Sequence, residues 1–332
     1  MNTENVIIEC LRQAVLGKGA DPSLFDGFTE SDFTAFYKNS KHHDVANVVS
    51  AAIGNTDMPE AFGSVAKAFE KEQMSALFRC ENIVYEIERI SQLFSENGID
   101  HILLKGAVIR DLYPEPWMRT SCDIDVLIRE GDIDAAIKHL TEKLGFSYDG
   151  NRSYHDVSLY SPGGVHLELH FSIMENIEIL DRVLSRVWEF ASPTDGCRYE
   201  LSPEFFFYHI VAHTAYHFIR GGCGVRSVLD LWLIKSKMDF DEEELLELCR
   251  KSELEEFYRA VTALSDCWFS GMEHSGITEK MAEFILKGGV YGETEASIAA
   301  VQEIRGGKAG YARKRIWISY HHRHKVSLQT VR

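Results

Sequence analysis

Asp123 and Asp125 flank Ile124 and lead into the apolar run Val126-Leu127-Ile128. Side chains on a strand alternate between its two faces, so both carboxylates point the same way, about 7 Å apart along the strand. Ile124, Val126 and Ile128 then point into a core. Two neighbouring carboxylates repel one another unless solvent, a proton or a cation intervenes, so without a cation at least one of their pKa values should rise. A divalent cation resolves the conflict, and oxygen-only ligands favour Mg2+ or Mn2+ over Zn2+. The alternative is an exposed strand edge with two solvated Asp. A second alternating run, His166-Leu-Glu168-Leu-His170, puts His166, Glu168 and His170 on one face. Beside the first strand, with polar faces aligned, it makes Glu168 a third carboxylate. Three carboxylates on adjacent strands can hold two metal ions about 4 Å apart, the arrangement used for in-line phosphoryl transfer. The alternative here is a half-exposed amphipathic strand.

Leu103-Leu104-Lys105-Gly106-Ala107 reads as a strand, a turn with one Gly, and a helix start. Backbone N–H groups at a helix start favour phosphate, and Lys105 adds a positive charge. The GxxxxGK[ST] pattern of a P-loop is absent. Arg119, four residues before Asp123, carries a planar fork suited to a triphosphate, or else pairs with Glu115 at the surface. His209, His213 and His217 stack on one helix face. Two such His plus an acid can hold zinc, but the segment lacks the Glu of an HExxH motif and no Cys is placed to help. A polar wall facing substrate, or plain packing, are the other readings. After the glycine break 221–224, Arg226 and Asp230 lie four apart on the next helix, where they can pair. The sharper alternative brings Arg226 to a bound nucleotide.

The elements that carry these residues follow from periodicity. Short helices with loops fill 1–73, with apolar spacing of three or four over 6–16 and 44–53. Residues 75–97 form an amphipathic helix with Leu77, Val84, Ile87, Ile90 and Phe94 on one stripe and Gly98 as its stop. Strands are expected at 101–104, 122–128, 155–160 and 165–171, the last two joined by the turn Ser161-Pro-Gly-Gly164. A helix spans 132–144, and helices follow from Ile173 onward, at 203–219, 225–237, 241–252 and 255–269. Strands bracketed by helices give an α+β fold. The expected division is a helical N-terminal segment 1–74, an α/β core 75–190, a helical C-terminal domain 191–300 and a basic tail 301–332.

The chain has 332 residues and a net charge of −16. That charge argues against extended binding to DNA or RNA, with tRNA left open by the tail, where residues 303–332 hold eight Lys or Arg and one Glu. Seven widely spaced Cys without a CxxC pair argue against a disulfide framework or a zinc ribbon. No signal peptide is visible and the longest uncharged apolar run is too short to span a bilayer, so no membrane partner and a cytoplasmic location are expected.

The order of these pieces matters more than any one of them. The segments "LLKGA", "LYPEPWMRTSCDIDVLI", "VHLELHF" and "HTAYHF…GCGVRSVLDL" resemble the bacterial family of uncharacterised nucleotidyltransferases, within the DNA polymerase β-like superfamily. The resemblance covers roughly residues 75–235. It implies a small mixed sheet, with Asp123, Asp125 and Glu168 as catalytic carboxylates and metal ligands, Mg2+ or Mn2+ as the cofactor, and a phosphate loop at Lys105 and Gly106. Arg119 and Arg226 are further candidates for the nucleotide. The implied reaction moves a nucleoside monophosphate from an NTP to an acceptor, either a small molecule or a protein hydroxyl, and the helical C-terminal domain binds that acceptor. Elsewhere in the superfamily a Ser follows the Gly of the phosphate loop; here Ala107 stands there. That departure supports an alternative, a catalytically decayed nucleotide-binding or interaction module.

Overall fold

Alternation over two short runs organises a seven-stranded mixed sheet. Its strands are β1 (His101–Leu103), β2 (Asp123–Ile128), β3 (Ser147–Arg152), β4 (Asp156–Tyr160), β5 (His166–His170), β6 (Ala191–Asp195) and β7 (Arg198–Leu201), in the order β3-β4-β5-β2-β1-β7-β6. The computed structural model describes residues 3–54, 56–219 and 222–289. Two compact units divide the chain. One joins the residues up to Ile173 with Phe190–Ser202; the other joins Met174–Glu189 with the chain from Pro203.

In the first unit β2 pairs antiparallel with β1 and parallel with β5, and β5 pairs antiparallel with β4. One face of these strands is apolar. Ile124, Val126, Ile128, Leu167, Leu169, Val157 and Leu159 meet Ile83, Ile90, Leu93 and Phe94 of α4 (Ala66–Glu96) and Ile133, Ala136 and Leu140 of α6 (Ile133–Leu144). Each buried Leu, Ile or Val contributes about 1.5–3 kcal/mol. A one-residue slip would put Asp123, Asp125 and Glu168 into that core, so burial of one face fixes which side chains stand on the other. Gly145, at φ 73°, ends α6 in the left-handed conformation that glycine adopts without strain.

α4 begins nine residues before the expected helix start at 75. The segment Ala66–Met74 is rich in helix formers, and Phe69 anchors it against Phe36, Tyr37 and Phe62. Phe36 and Tyr37 sit on α2 (Glu30–His42), whose N-terminus is closed by a reciprocal Thr29–Asp32 capping box. α1 (Thr3–Val15) and α3 (Ala46–Ile53) complete the N-terminal helices. α3 also reaches the loop before β2: Asn47 Nδ2 donates to the carbonyl oxygens of Met118 at 2.8 Å and Trp117 at 3.2 Å.

The expectation of helices alone after Ile173 is corrected by the hairpin β6–β7. β7 extends the sheet by pairing parallel with β1, and Gly196 turns the hairpin at φ 57°. Ala191–Asp195 reads ASPTD, with a Pro and no apolar alternation, so periodicity gives no strand signal. The second unit holds α7 (Glu178–Leu184), α8 (Pro203–Ile219), α9 (Val225–Lys237), α10 (Glu242–Lys251), α11 (Glu255–Phe269) and α12 (Gly276–Gly288). α8 is apolar nearly all round and largely buried, with Phe207 against Phe240 and Tyr258, and Phe218 against Phe257 and Phe284. Among the described residues no helix is long and apolar enough to cross a membrane. The basic tail 301–332 lies outside the described residues, as does Gly221 of the expected glycine break.

Candidate active site

Register brings the three carboxylates together. Asp123 lies opposite His166, and Asp125 opposite Glu168, on adjacent parallel strands. Paired residues share a face, so Asp123, Asp125, His166, Glu168 and His170 form one polar layer. Ser158 and Tyr160 of β4 extend it, each opposite a residue of β5. Two overlapping trios, Asp123–His166–Glu168 and Asp125–Glu168–His170, each offer ligand atoms within 4.8 Å of one another. Each trio contains a His that the reading of the sequence left out of the ligand set.

The electrostatics split the two aspartates. Asp125 is 5% exposed. Its Oδ1 accepts from Lys105 Nζ at 2.9 Å and from His170 Nε2 at 2.9 Å. Burial by itself would raise the Asp125 pKa, but Lys105 and His170 outweigh it and hold the carboxyl far below the usual range. His170 shows the reciprocal effect. Burial disfavours its charged form, yet hydrogen bonds to Asp125 and to Glu168 prevail and raise its pKa to about 8. Asp123 goes the other way. Burial and then the nearby charges of Asp125 and Glu168 push its pKa up. Like charge is therefore crowded at Asp123 and neutralised at Asp125. This donor set, three carboxylates with two imidazoles, with Asp125 already held by Lys105 and His170, fits a divalent cation, which would relieve the crowding at Asp123.

The turn after β1 faces this layer. Lys105 has φ 43°, a left-handed backbone that a non-glycine residue adopts only at a cost. That conformation turns the chain from β1 into α5 (Gly106–Ile109) while Nζ returns to Asp125. Gly106 is needed for a close approach: a Cβ there would lie 3.3 Å from Ser121 Cβ and 3.5 Å from Arg119 Nη1. Arg119 Nη1 donates to the Thr120 carbonyl at 2.6 Å, so its guanidinium stands beside the glycine turn. Arg110, 2% exposed, fastens both sides. Its Nε donates to the Gly106 carbonyl at 2.9 Å and its Nη2 to Ser121 Oγ at 3.1 Å.

Of the residues singled out in the sequence, Asp123, Asp125, Glu168, Lys105, Gly106 and Arg119 belong to the first unit. Asp123, Asp125, Glu168 and Lys105 share one polar cluster, and Gly106 and Arg119 lie at the adjoining turn. Arg226 belongs to the second unit, half-buried on α9 one turn before the buried Asp230. His209, His213 and His217 are also in that unit, on α8. Arg110, His166, His170 and Ser121 are the partners that sequence reasoning left without a role. The alternation that marked Glu168 already put both His on its face; nothing in the sequence marked Arg110.

The profile of a family described as uncharacterised nucleotidyltransferase matches residues 29–270, well over half of the chain. The chain belongs to that family. Nucleotidyl transfer is thereby supported as the family's general activity, with no particular reaction fixed. A solved structure, an antigenic nucleotidyltransferase-like protein from Paracoccidioides brasiliensis, is similar over 59% of this chain and 96% of its own, at 16% identity and a TM-score of 0.40. No curated protein matches the chain.

Proposed function

We propose that the protein is a divalent-metal-dependent nucleotidyltransferase that moves a nucleoside monophosphate from an NTP to a hydroxyl of a small molecule or protein. The observation that carries this reading is the register of β2 against β5, which sets Asp125 beside Glu168 with Asp123 on the same face. Those three carboxylates would hold Mg2+ or Mn2+, and such a cation lowers the pKa of an acceptor hydroxyl and neutralises triphosphate charge. Glu168 is the carboxylate suited to take the acceptor's proton: it is partly exposed and His170 Nε2 lies 3.4 Å from it, whereas Asp125 is buried and held at 2.9 Å by both Lys105 and His170. The Lys105–Gly106 turn and the Arg119 guanidinium offer positive charge and close backbone approach to phosphate oxygens. Ser121, held by Arg110 against Gly106, supplies a hydroxyl near the turn where Ala107 has none. His170 keeps Asp125 ionised and fixed in orientation.

A second reading, a non-catalytic nucleotide-binding module, is favoured by the Lys105–Asp125 ion pair, which already satisfies one carboxylate without a metal. The experiment separating them follows two labels. With α-labelled NTP, cell extract and Mg2+ or Mn2+, an enzyme moves label into an acceptor, while γ-label leaves as pyrophosphate. Nucleotide binding without transfer of the α-label from any of the NTPs would support the module. Transfer of γ-label to the acceptor would overturn nucleotidyl transfer.

A further inference from the structure

Glu175, His213 and His217 form a cluster, inside the second unit, that the proposed function leaves unused. His213 and His217 are one turn apart on α8, and their Nε2 atoms lie 3.1 Å apart. Their ring centroids are only 4.4 Å apart, with the planes at 79°. With the nitrogens at 3.1 Å, so short a centroid distance means that the rings meet at an angle and not end to end. A cation about 2.05 Å from both nitrogens would see them at about 98°, between the octahedral and tetrahedral angles. On the far side of His213, Glu175 Oε1 lies 2.8 Å from Nδ1. A carboxylate only accepts, so His213 Nδ1 carries a proton, and the two Nε2 atoms share a hydrogen bond whose proton a bound cation would displace. A metal-binding imidazole commonly has this arrangement, one nitrogen toward the ion and the other donating to a carboxylate that fixes the tautomer. The acid missing from the helix motif therefore comes from outside the helix, 38 residues earlier in the chain. His213 and Glu175 are 28% and 13% exposed, so the pair is partly desolvated yet reachable.

We propose that His213 and His217 bind a divalent transition-metal ion, Zn2+ foremost, through their Nε2 atoms, with Glu175 as the residue that orients His213. Imidazole ligands select Zn2+, Ni2+ or Cu2+ over Mg2+, and here both protein ligands are imidazoles, whereas each trio of the carboxylate layer holds two carboxylates and one His. Two protein ligands leave positions for water or for an oxygen of a bound molecule.

The test uses the full chain carrying Asp123→Asn and Glu168→Gln, which weakens the other cation-binding cluster and makes the result independent of nucleotidyl transfer. Co2+ alone is titrated in and followed by its visible absorption, and Zn2+ is followed by calorimetry. One equivalent should bind, resist a large excess of Mg2+, and weaken at least tenfold in His213→Ala and in His217→Ala. Glu175→Gln should lower affinity about 10–100-fold without changing the stoichiometry. Circular dichroism checks each fold, and His213→Gln and His217→Gln replace any Ala variant that fails to fold. Binding no greater than that of the double His variant, displacement by Mg2+, or X-ray absorption showing only oxygen ligands would overturn the proposal.

Discussion

Asp123→Asn and Asp125→Asn are the same chemical change two residues apart, and the structure predicts opposite effects on stability. Asp125 is the anion for both Lys105 and His170. The rise of His170 from 6.5 to about 8 corresponds to about 2 kcal/mol, most of it owed to Asp125. The Lys105 pair, with the Lys one-fifth exposed, adds about 1 kcal/mol. Asp125→Asn should therefore cost about 3 kcal/mol near pH 6, at the lower edge of the range for breaking a buried pair. Asp123 has its pKa raised, so losing its charge should be neutral or stabilising. The pH dependence fixes the sign. A group whose folded pKa is raised stabilises fully below its unfolded value and loses that contribution as pH rises through the folded value. The His170 contribution is thus present below 6.5 and gone above about 8, and the Asp125→Asn deficit should shrink from about 3 to about 1 kcal/mol between pH 6 and pH 9. Urea titration in EDTA, read at the unfolding transition of the unit that holds the sheet because the chain has two compact units, measures both variants. A neutral Asp125→Asn, or a deficit that grows with pH, would refute the electrostatic account of the cluster.

Three further outcomes are expected. Gly106→Ala places a Cβ 3.3 Å from Ser121, so it should shift the 119–121 loop, cost about 1 kcal/mol and weaken Mg-NTP binding in calorimetry; wild-type affinity would remove that turn from the phosphate site. Asn47→Ala strips the buried Met118 carbonyl of its donor and should destabilise by about 1–3 kcal/mol, read as a lowered urea midpoint. Lys105→Ala should weaken NTP binding more than Lys138→Ala on the partly exposed α6; equal affinities would assign Lys105 to the ion pair alone.

The legible parts of the fold were those where one face is buried and the other polar. β2 and β5 alternate cleanly because Ile124, Val126, Leu167 and Leu169 enter the core while the acids stay out. β3, β6 and β7 escaped for the opposite reason. Ser147–Arg152 is mostly exposed and carries Gly150 at φ 86°, and Ala191–Asp195 contains a Pro. Neither buries enough apolar surface to impose a period on the sequence. At the site, the carboxylates could be read from spacing, but their cations could not. Lys105 and His170 lie 20 and 45 residues from Asp125, a distance only sheet pairing closes. The contrast between Asp123 and Asp125 therefore depends on the tertiary fold. So does the brace from Asn47 to the loop before β2, which ties an apparently site-free N-terminal segment to the chemistry.

Pyrophosphate release bears most directly on the central claim that Asp123, Asp125 and Glu168 form a working metal-dependent transfer site. Each NTP is supplied with Mg2+ or Mn2+ and cell extract as the acceptor source, and wild type is compared with Asp123→Asn and Glu168→Gln. Wild type should release pyrophosphate from at least one NTP, lose that release in EDTA, and exceed both variants by several orders of magnitude, since a metal site of this kind serves nucleophile and leaving group together. Release that persists unchanged in both variants would place the chemistry elsewhere in the molecule, and absence of release by wild type from every NTP would contradict the assignment as an enzyme.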